Sequence, residues 1–245
     1  MNNSDKDQEK LNNEEIPGEE IRSGKKRGCL IKATALLTVF IFLIFSLPDL
    51  SSFITVKTGF LKENGILLKD EVVKQCRPAV VSVKVDVKGG TARQGTGFNI
   101  SPQGFIVTNE HVVDQAELIT IEFADGMRYY SNGYDKIEGY DLALVRIKGQ
   151  NLPYLLLNRS DEASTGDSVT IIGNPLGYVR IAQRGQVGQY YNSKDNASPV
   201  FDIGVEVNPG NSGSPVIDNK GQVVGVIFAS SGKRAMAIGA SHIVY

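Results

Sequence analysis

Asn208-Pro209-Gly210-Asn211-Ser212-Gly213-Ser214-Pro215 lies between two short apolar runs, Phe201–Val205 and Pro215–Ile217. Glycine and asparagine at this density break both helix and strand, so the segment reads as a loop joining two strands. The same alternation of apolar run and turn continues on either side. Further strands are expected at Ala79–Val87, Gly95–Ile100, Phe105–Thr108, Leu118–Phe123, Leu142–Ile147, Ser168–Ile172, Val223–Phe228 and Ala235–Ile238. Turns fall at Gly89-Gly90, Asp125-Gly126, Asn132-Gly133 and Lys220-Gly221. Many short strands with few helical stretches predict a closed all-β architecture, because closure removes exposed strand edges. Two consecutive six-stranded β-barrels, over 70–155 and 156–245, divide the length sensibly.

Ahead of this region the character of the chain changes. Residues 1–28 are polar, with almost no large apolar side chains to offset the entropy of folding, and a disordered tail is expected there. Cys29 to Leu47 is apolar apart from Lys32 and small hydroxyl residues, and the expectation is one transmembrane helix over 29–48. A cleaved signal peptide is the alternative, but the preceding segment is long for one and no small-residue cleavage site follows. Arg22, Lys25, Lys26 and Arg27 crowd the near side of the span, against the sparser Lys57 and Lys62 beyond it. The tail is therefore expected in the cytoplasm and everything after the span outside it. Residues 49–69 read as a tether, followed by a short helix over Asp70–Cys76 that Pro78 ends.

Three segments carry chemistry. A serine hydroxyl is a weak nucleophile unless a base takes its proton and nearby donors receive the oxyanion. Ser212, with a glycine after it and Gly210 two residues before, suits both needs; a hairpin loop with an incidental serine is the plain alternative. His111, in Thr108-Asn109-Glu110-His111-Val112-Val113, is the candidate base. A lone histidine among apolar neighbours is often a core residue, and the chain's other histidine, His242, is the rival base. Asp141 opens the apolar strand of Gly139-Tyr140-Asp141-Leu142-Ala143-Leu144-Val145, where an acid is either a turn former or the partner that fixes an imidazole tautomer. Asp135 and Glu138 are the neighbouring alternatives.

Composition closes off other classes. Charge is nearly balanced, with 26 Lys+Arg against 27 Asp+Glu, so no net field draws the chain onto nucleic acid. Two cysteines, Cys29 and Cys76, exclude a disulfide framework. Two histidines and no Cys-x-x-Cys offer no zinc site, and no structural metal is expected.

The three segments occur in the order His, Asp, Ser, that of chymotrypsin-type enzymes and not of subtilisins or α/β-hydrolases. TGFNISPQGFIVTNEHVV, YDLALVRI, GDSVTIIGNPLG and NPGNSGSPVIDNKGQVVGV resemble successive blocks of the protease domain of the HtrA/Deg family of trypsin-like serine proteases. The resemblance covers about residues 70–245 and implies endopeptidase activity on unfolded or damaged polypeptides, with no cofactor. It assigns the triad to His111, Asp141 and Ser212, and the oxyanion hole to the N–H groups of Gly210 and Ser212. Ser214 stands where the family has a second glycine, and the chain ends at Tyr245, where many members continue into a PDZ domain. Control through such a domain is therefore not expected. Asn211 replaces the aspartate of zymogens, which leaves loop ordering or homo-oligomerisation as the expected means of control. Glu206, at the specificity-pocket position, is expected either to attract Lys or Arg, or to face solvent while Val207 shapes an apolar pocket. A non-catalytic protease-fold module that binds peptides in the cell envelope is the competing function.

Overall fold

The computed structural model describes residues 34–42, 59–159, 163–192 and 199–244. Residues 59–244 carry two antiparallel sheets that follow one another in the chain. The first contains β1 (Val80–Val87), β2 (Arg93–Asn99), β3 (Phe105–Thr108), β4 (Ala116–Glu122), β5 (Arg128–Ser131), β6 (Asp135–Lys136) and β7 (Ala143–Arg146), in the order β5-β4-β1-β2-β3-β7-β6. The second contains β8 (Leu156–Leu157), β9 (Ser168–Gly173), β10 (Ile181–Tyr191), β11 (Val200–Ile203), β12 (Pro215–Ile217), β13 (Gln222–Ser231) and β14 (Arg234–Gly239). Here β12 pairs with both β9 and β13, which closes β12-β9-β10-β11-β14-β13 into a six-stranded barrel, and β8 adds to β13 in parallel.

The first sheet departs from the expected closed barrel. Among the described residues no pairing joins β6 to β5, so it is a seven-stranded half-barrel. The physical reason lies in its edges: β6 has two residues, both exposed, and β5 alternates exposed and half-buried. Such short polar edges bury little on closing and template little when left open.

Among the described residues, buried apolar side chains sort into three clusters. Val81, Val83, Val85, Ile106, Ile121 and Val145 fill the first unit, while Val169, Ile171, Phe201, Ile203, Val216 and Ile227 fill the second barrel. The third cluster joins Val80, Phe98, Val107 and Leu144 to Ile172, Ile217, Val226 and Ile238 across the two sheets. Successive residues of one strand thus point alternately into a sheet interior and into the shared layer. That is why Ile106-Val107, Ile171-Ile172 and Val216-Ile217 are continuous apolar pairs: both faces of these strands are buried. Cys76, a free thiol pushed up to about 11 by burial, also packs in the shared layer.

Within the expected tether, residues 59–67 are helical. One face of this helix meets β10 and the turn before it. Phe60 packs edge-on against Tyr178, Glu63 accepts the Arg184 N–H at 2.8 Å, Asn64 accepts that of Ala182 at 2.9 Å, and Leu67 joins the shared cluster. The spacing is helical, but two of its four contacts are polar, which hides it from a hydrophobic pattern. The next helix, Glu71–Cys76, is capped by Asp70, whose Oδ1 accepts the Val72 N–H at 2.9 Å.

Residues 34–42 are helical and expose Leu36, Leu37, Phe40 and Phe42. The Thr38 hydroxyl turns back onto the carbonyls of Thr34 and Ala35. The rest of the expected span at 29–48, like the expected tail at 1–28, lies outside the described residues. Among the described residues no helix is long and apolar enough to cross a membrane.

An ion pair between the buried Asp202 and the exposed Arg234 staples the barrel. The Asp202 carboxylate accepts from Arg234 Nη2 at 2.7 Å, Tyr191 Oη at 3.0 Å and the Gln189 N–H at 2.9 Å. The Arg234 guanidinium holds the carboxyl below the usual carboxylate range. A depressed folded-state pKa contributes stability that is present above the unfolded value of about 3.9 and is lost as pH falls through the folded value. Asp202→Asn is therefore expected to lower the thermal midpoint by roughly 5 °C at pH 7. The difference from wild type should shrink as pH falls below about 4, as measured by melting curves across pH.

Candidate active site

The register of β3 against β7 builds the first half of the site. Thr108 pairs with Ala143, so the residues just past β3 meet those just before β7. Asn109 leaves β3 in an extended conformation, and its buried side chain donates Nδ2–H to the Asp141 carbonyl at 2.7 Å. His111 then enters the one-turn helix Glu110–Val113 with its backbone N–H and one ring nitrogen on Asp141. Its backbone N–H donates to Oδ1 at 3.0 Å, and its ring Nδ1 lies 2.6 Å from Oδ2. A carboxylate only accepts, so the proton of a neutral imidazole sits on Nδ1 and Nε2 is left as the base. The rival groups are occupied elsewhere: His242 stacks on Tyr140 with centroids 4.4 Å apart, and Asp135 pairs with Arg146 at 3.0 Å. Glu138 is exposed.

The second half is the loop between β11 and β12, and β2 holds it against the first. The Thr96 N–H donates to the Ser212 carbonyl at 2.8 Å. A Cβ on the neighbouring Gly95 would lie 3.2 Å from that carbonyl and 2.8 Å from a Val112 methyl, so the serine loop and the residue after His111 meet over one glycine. Within the loop, the Gly213 N–H donates to the Ile227 carbonyl at 2.8 Å and the Ser214 N–H to that of Asn211 at 2.9 Å. The N–H groups of Gly210 and Ser212 donate to no protein acceptor among the described residues, leaving two open donors beside the serine hydroxyl. Ser212 Oγ and the imidazole form no hydrogen bond in this arrangement, a looseness common in serine sites without substrate.

Gly213 shows how tightly the halves fit. Its φ is +84°, and a Cβ there would overlap the Thr96 carbonyl and the Thr108 hydroxyl. Gly213→Ala is expected to cost about 3 kcal/mol of stability, read from denaturant unfolding, since backbone on β2 and β3 cannot yield.

Of the specificity-pocket candidates, Glu206 is exposed, while Val207 is half-buried against the second-barrel cluster. The sequence reading missed Thr96, Asn174 and Arg93. Arg93 Nη1 donates to the His111 carbonyl at 3.1 Å, and Asn174 is fully buried with Nδ2 on the Val81 carbonyl at 2.9 Å. The Asn-Pro pair in Gly173-Asn174-Pro175, a turn initiator, is the available signal; that its amide is buried with its hydrogen bonds met is visible only in the structure.

Two antiparallel β-units sharing a packed layer, acid and base on the first and the serine loop on the second, are the layout of the trypsin-like class. Over residues 95–226 the chain matches the family model for the trypsin-like peptidase domain, and it belongs to that family, on the HtrA/DegP side. It is 38% identical over 138 residues to a probable periplasmic DegP-like serine endoprotease of Chlamydia pneumoniae, a match covering 55% of this chain and 28% of the relative. It is 34% identical over 171 residues to the serine protease HTRA1 of Xenopus laevis, covering 64% of this chain and 37% of that one. The chain thus spans about a third of the length of the curated relatives it matches. Among solved structures, the active form of the Rv3671c protease of M. tuberculosis superposes with a TM-score of 0.65 at 26% identity, covering 72% of this chain and 82% of that one.

Proposed function

We propose that this chain is a membrane-anchored serine endopeptidase that cleaves exported, unfolded or damaged polypeptides through an acyl-enzyme. The observation that carries the reading is the His111–Asp141 contact at 2.6 Å beside a serine loop with two open amides. Asp141 orients the imidazole; His111 Nε2 takes the Ser212 proton as Oγ attacks the scissile carbonyl and returns it to the leaving amine. The amides of Gly210 and Ser212 receive the oxyanion, and water then releases the acyl group with His111 again as base. Val207 shapes an apolar primary pocket, in keeping with its half-burial and with the exposure of Glu206. Cleavage after Val, Ile or Ala and not after Lys or Arg is the corresponding peptide-library result.

Anchoring rests on the apolar run from Cys29 to Leu47 and on the exposed apolar side chains of helical residues 34–42. A helix whose Thr38 hydroxyl bonds to its own backbone is suited to lipid. The basic cluster before the run orients the peptidase domain outside the cytoplasm. The test is to treat the full chain with a fluorophosphonate probe and map the adduct by mass spectrometry. Modification of Ser212 supports the reading, and a folded chain that stays unmodified sinks it. The absent Ser212–His111 hydrogen bond favours one rival, a peptide-binding module without catalysis, which the same unlabelled outcome would select.

A further inference from the structure

The geometry points to Thr96 as a positioning residue for the oxyanion hole, an inference that rests on the peptidase reading of the same site. Thr96 is fully buried in β2, and its side chain and backbone hold three separate segments at once. Its hydroxyl donates to the Gly210 carbonyl at 2.7 Å and accepts the Asn174 N–H at 2.9 Å and Asn174 Nδ2–H at 3.2 Å. Its N–H holds the Ser212 carbonyl, and its carbonyl accepts the Thr108 hydroxyl at 2.7 Å on the strand that leads to His111. One residue therefore grips the carbonyls of both residues whose amides are left open.

The bond to Asn174 extends this control. Asn174 begins the turn 174–180, and its Oδ1 accepts the Arg180 N–H at 2.9 Å to close it. Inside the turn Leu176 adopts φ +54° and ψ +27°, a left-handed conformation that strains a non-glycine residue. That geometry aims the Leu176 N–H at the Pro209 carbonyl, 2.8 Å away. A trans peptide sets N–H and C=O in opposite directions, so holding the Pro209 carbonyl turns the Gly210 N–H the other way. The Ser214 N–H on the Asn211 carbonyl does the same for the Ser212 amide. Gly210 has φ +100°, and a Cβ on it would overlap the Asn174 carbonyl, so the turn and the loop lock without slack. Removing the Thr96 hydroxyl frees the Gly210 carbonyl and unseats Asn174 together, which lets the 209–210 peptide rotate.

The test compares Thr96→Val, Thr96→Ala and Thr96→Ser in the full chain, with casein as substrate and a fluorophosphonate as the acylation probe. The valine variant is expected to lose about a hundredfold in kcat and in labelling rate with KM nearly unchanged, since only transition-state binding suffers. Serine, which keeps the hydroxyl, should return both rates to within about threefold of wild type. Folded valine or alanine variants that match wild type overturn the inference. So does a serine variant as slow as valine, or a failure of both hydroxyl-free variants to fold, because the hydroxyl would then be scaffold alone. Wild type unreactive toward the probe is a different failure, that of the nucleophile assignment itself.

Discussion

Ser212→Ala is expected to reduce casein hydrolysis by about a millionfold, to the small residue that the oxyanion hole and binding sustain alone, while the thermal midpoint moves by about 1 °C or less. The first half of this expectation follows from covalent catalysis: without Oγ no acyl-enzyme forms, and His111 and Asp141 have nothing to activate. The second follows from the geometry. Ser212 is held through its backbone, the carbonyl on the Thr96 N–H, and its hydroxyl contributes no hydrogen bond to the fold. Loss of activity together with loss of folding would point to a structural serine, and unchanged hydrolysis would assign the nucleophile elsewhere. Assays of casein turnover and melting curves on the same preparation separate these outcomes.

Asp141→Asn is expected to lower kcat by about ten thousandfold with KM little affected. Both oxygens of Asp141 accept, one from the His111 N–H and the other from ring Nδ1. An asparagine has one acceptor to offer. The backbone N–H cannot turn, so the amide oxygen stays on it and the NH₂ group faces the ring. Nδ1 must then accept, the ring proton moves to Nε2, and the base presents a donor to the serine. Asp141→Glu, a longer acceptor, should recover part of the rate, whereas an asparagine variant with wild-type kcat would remove Asp141 from the mechanism.

The parts of this fold that sequence reveals are those buried on both faces. Ile106-Val107, Leu144-Val145, Ile171-Ile172 and Val216-Ile217 announce their strands because one residue of each pair fills a sheet interior and the next fills the shared layer. The long strand β10 stayed hidden: between Ala182 and Val187 its inward positions are Gln183 and Gly185, and its outer ones Arg184 and Gln186. Strand β5, Arg128–Ser131, is half exposed and reads as loop for the same reason. At the site, His111, Asp141 and Ser212 stand out because their residue types and order carry chemistry, and the first two are in contact. The distance between Ser212 and the imidazole is a loop property that no motif encodes. Thr96 is equally invisible, since a threonine in a strand looks like β-propensity until its hydroxyl is seen to make three hydrogen bonds.

The shared apolar layer also decides what kind of object this peptidase domain is. Neither sheet owns that layer: Phe98 and Leu142 are dry only while Ile217 and Val226 face them. A gene cut near residue 150 would release two fragments each with a greasy flank, prone to clump before they could find one another. The cleft is for that reason inseparable from the glue beneath it.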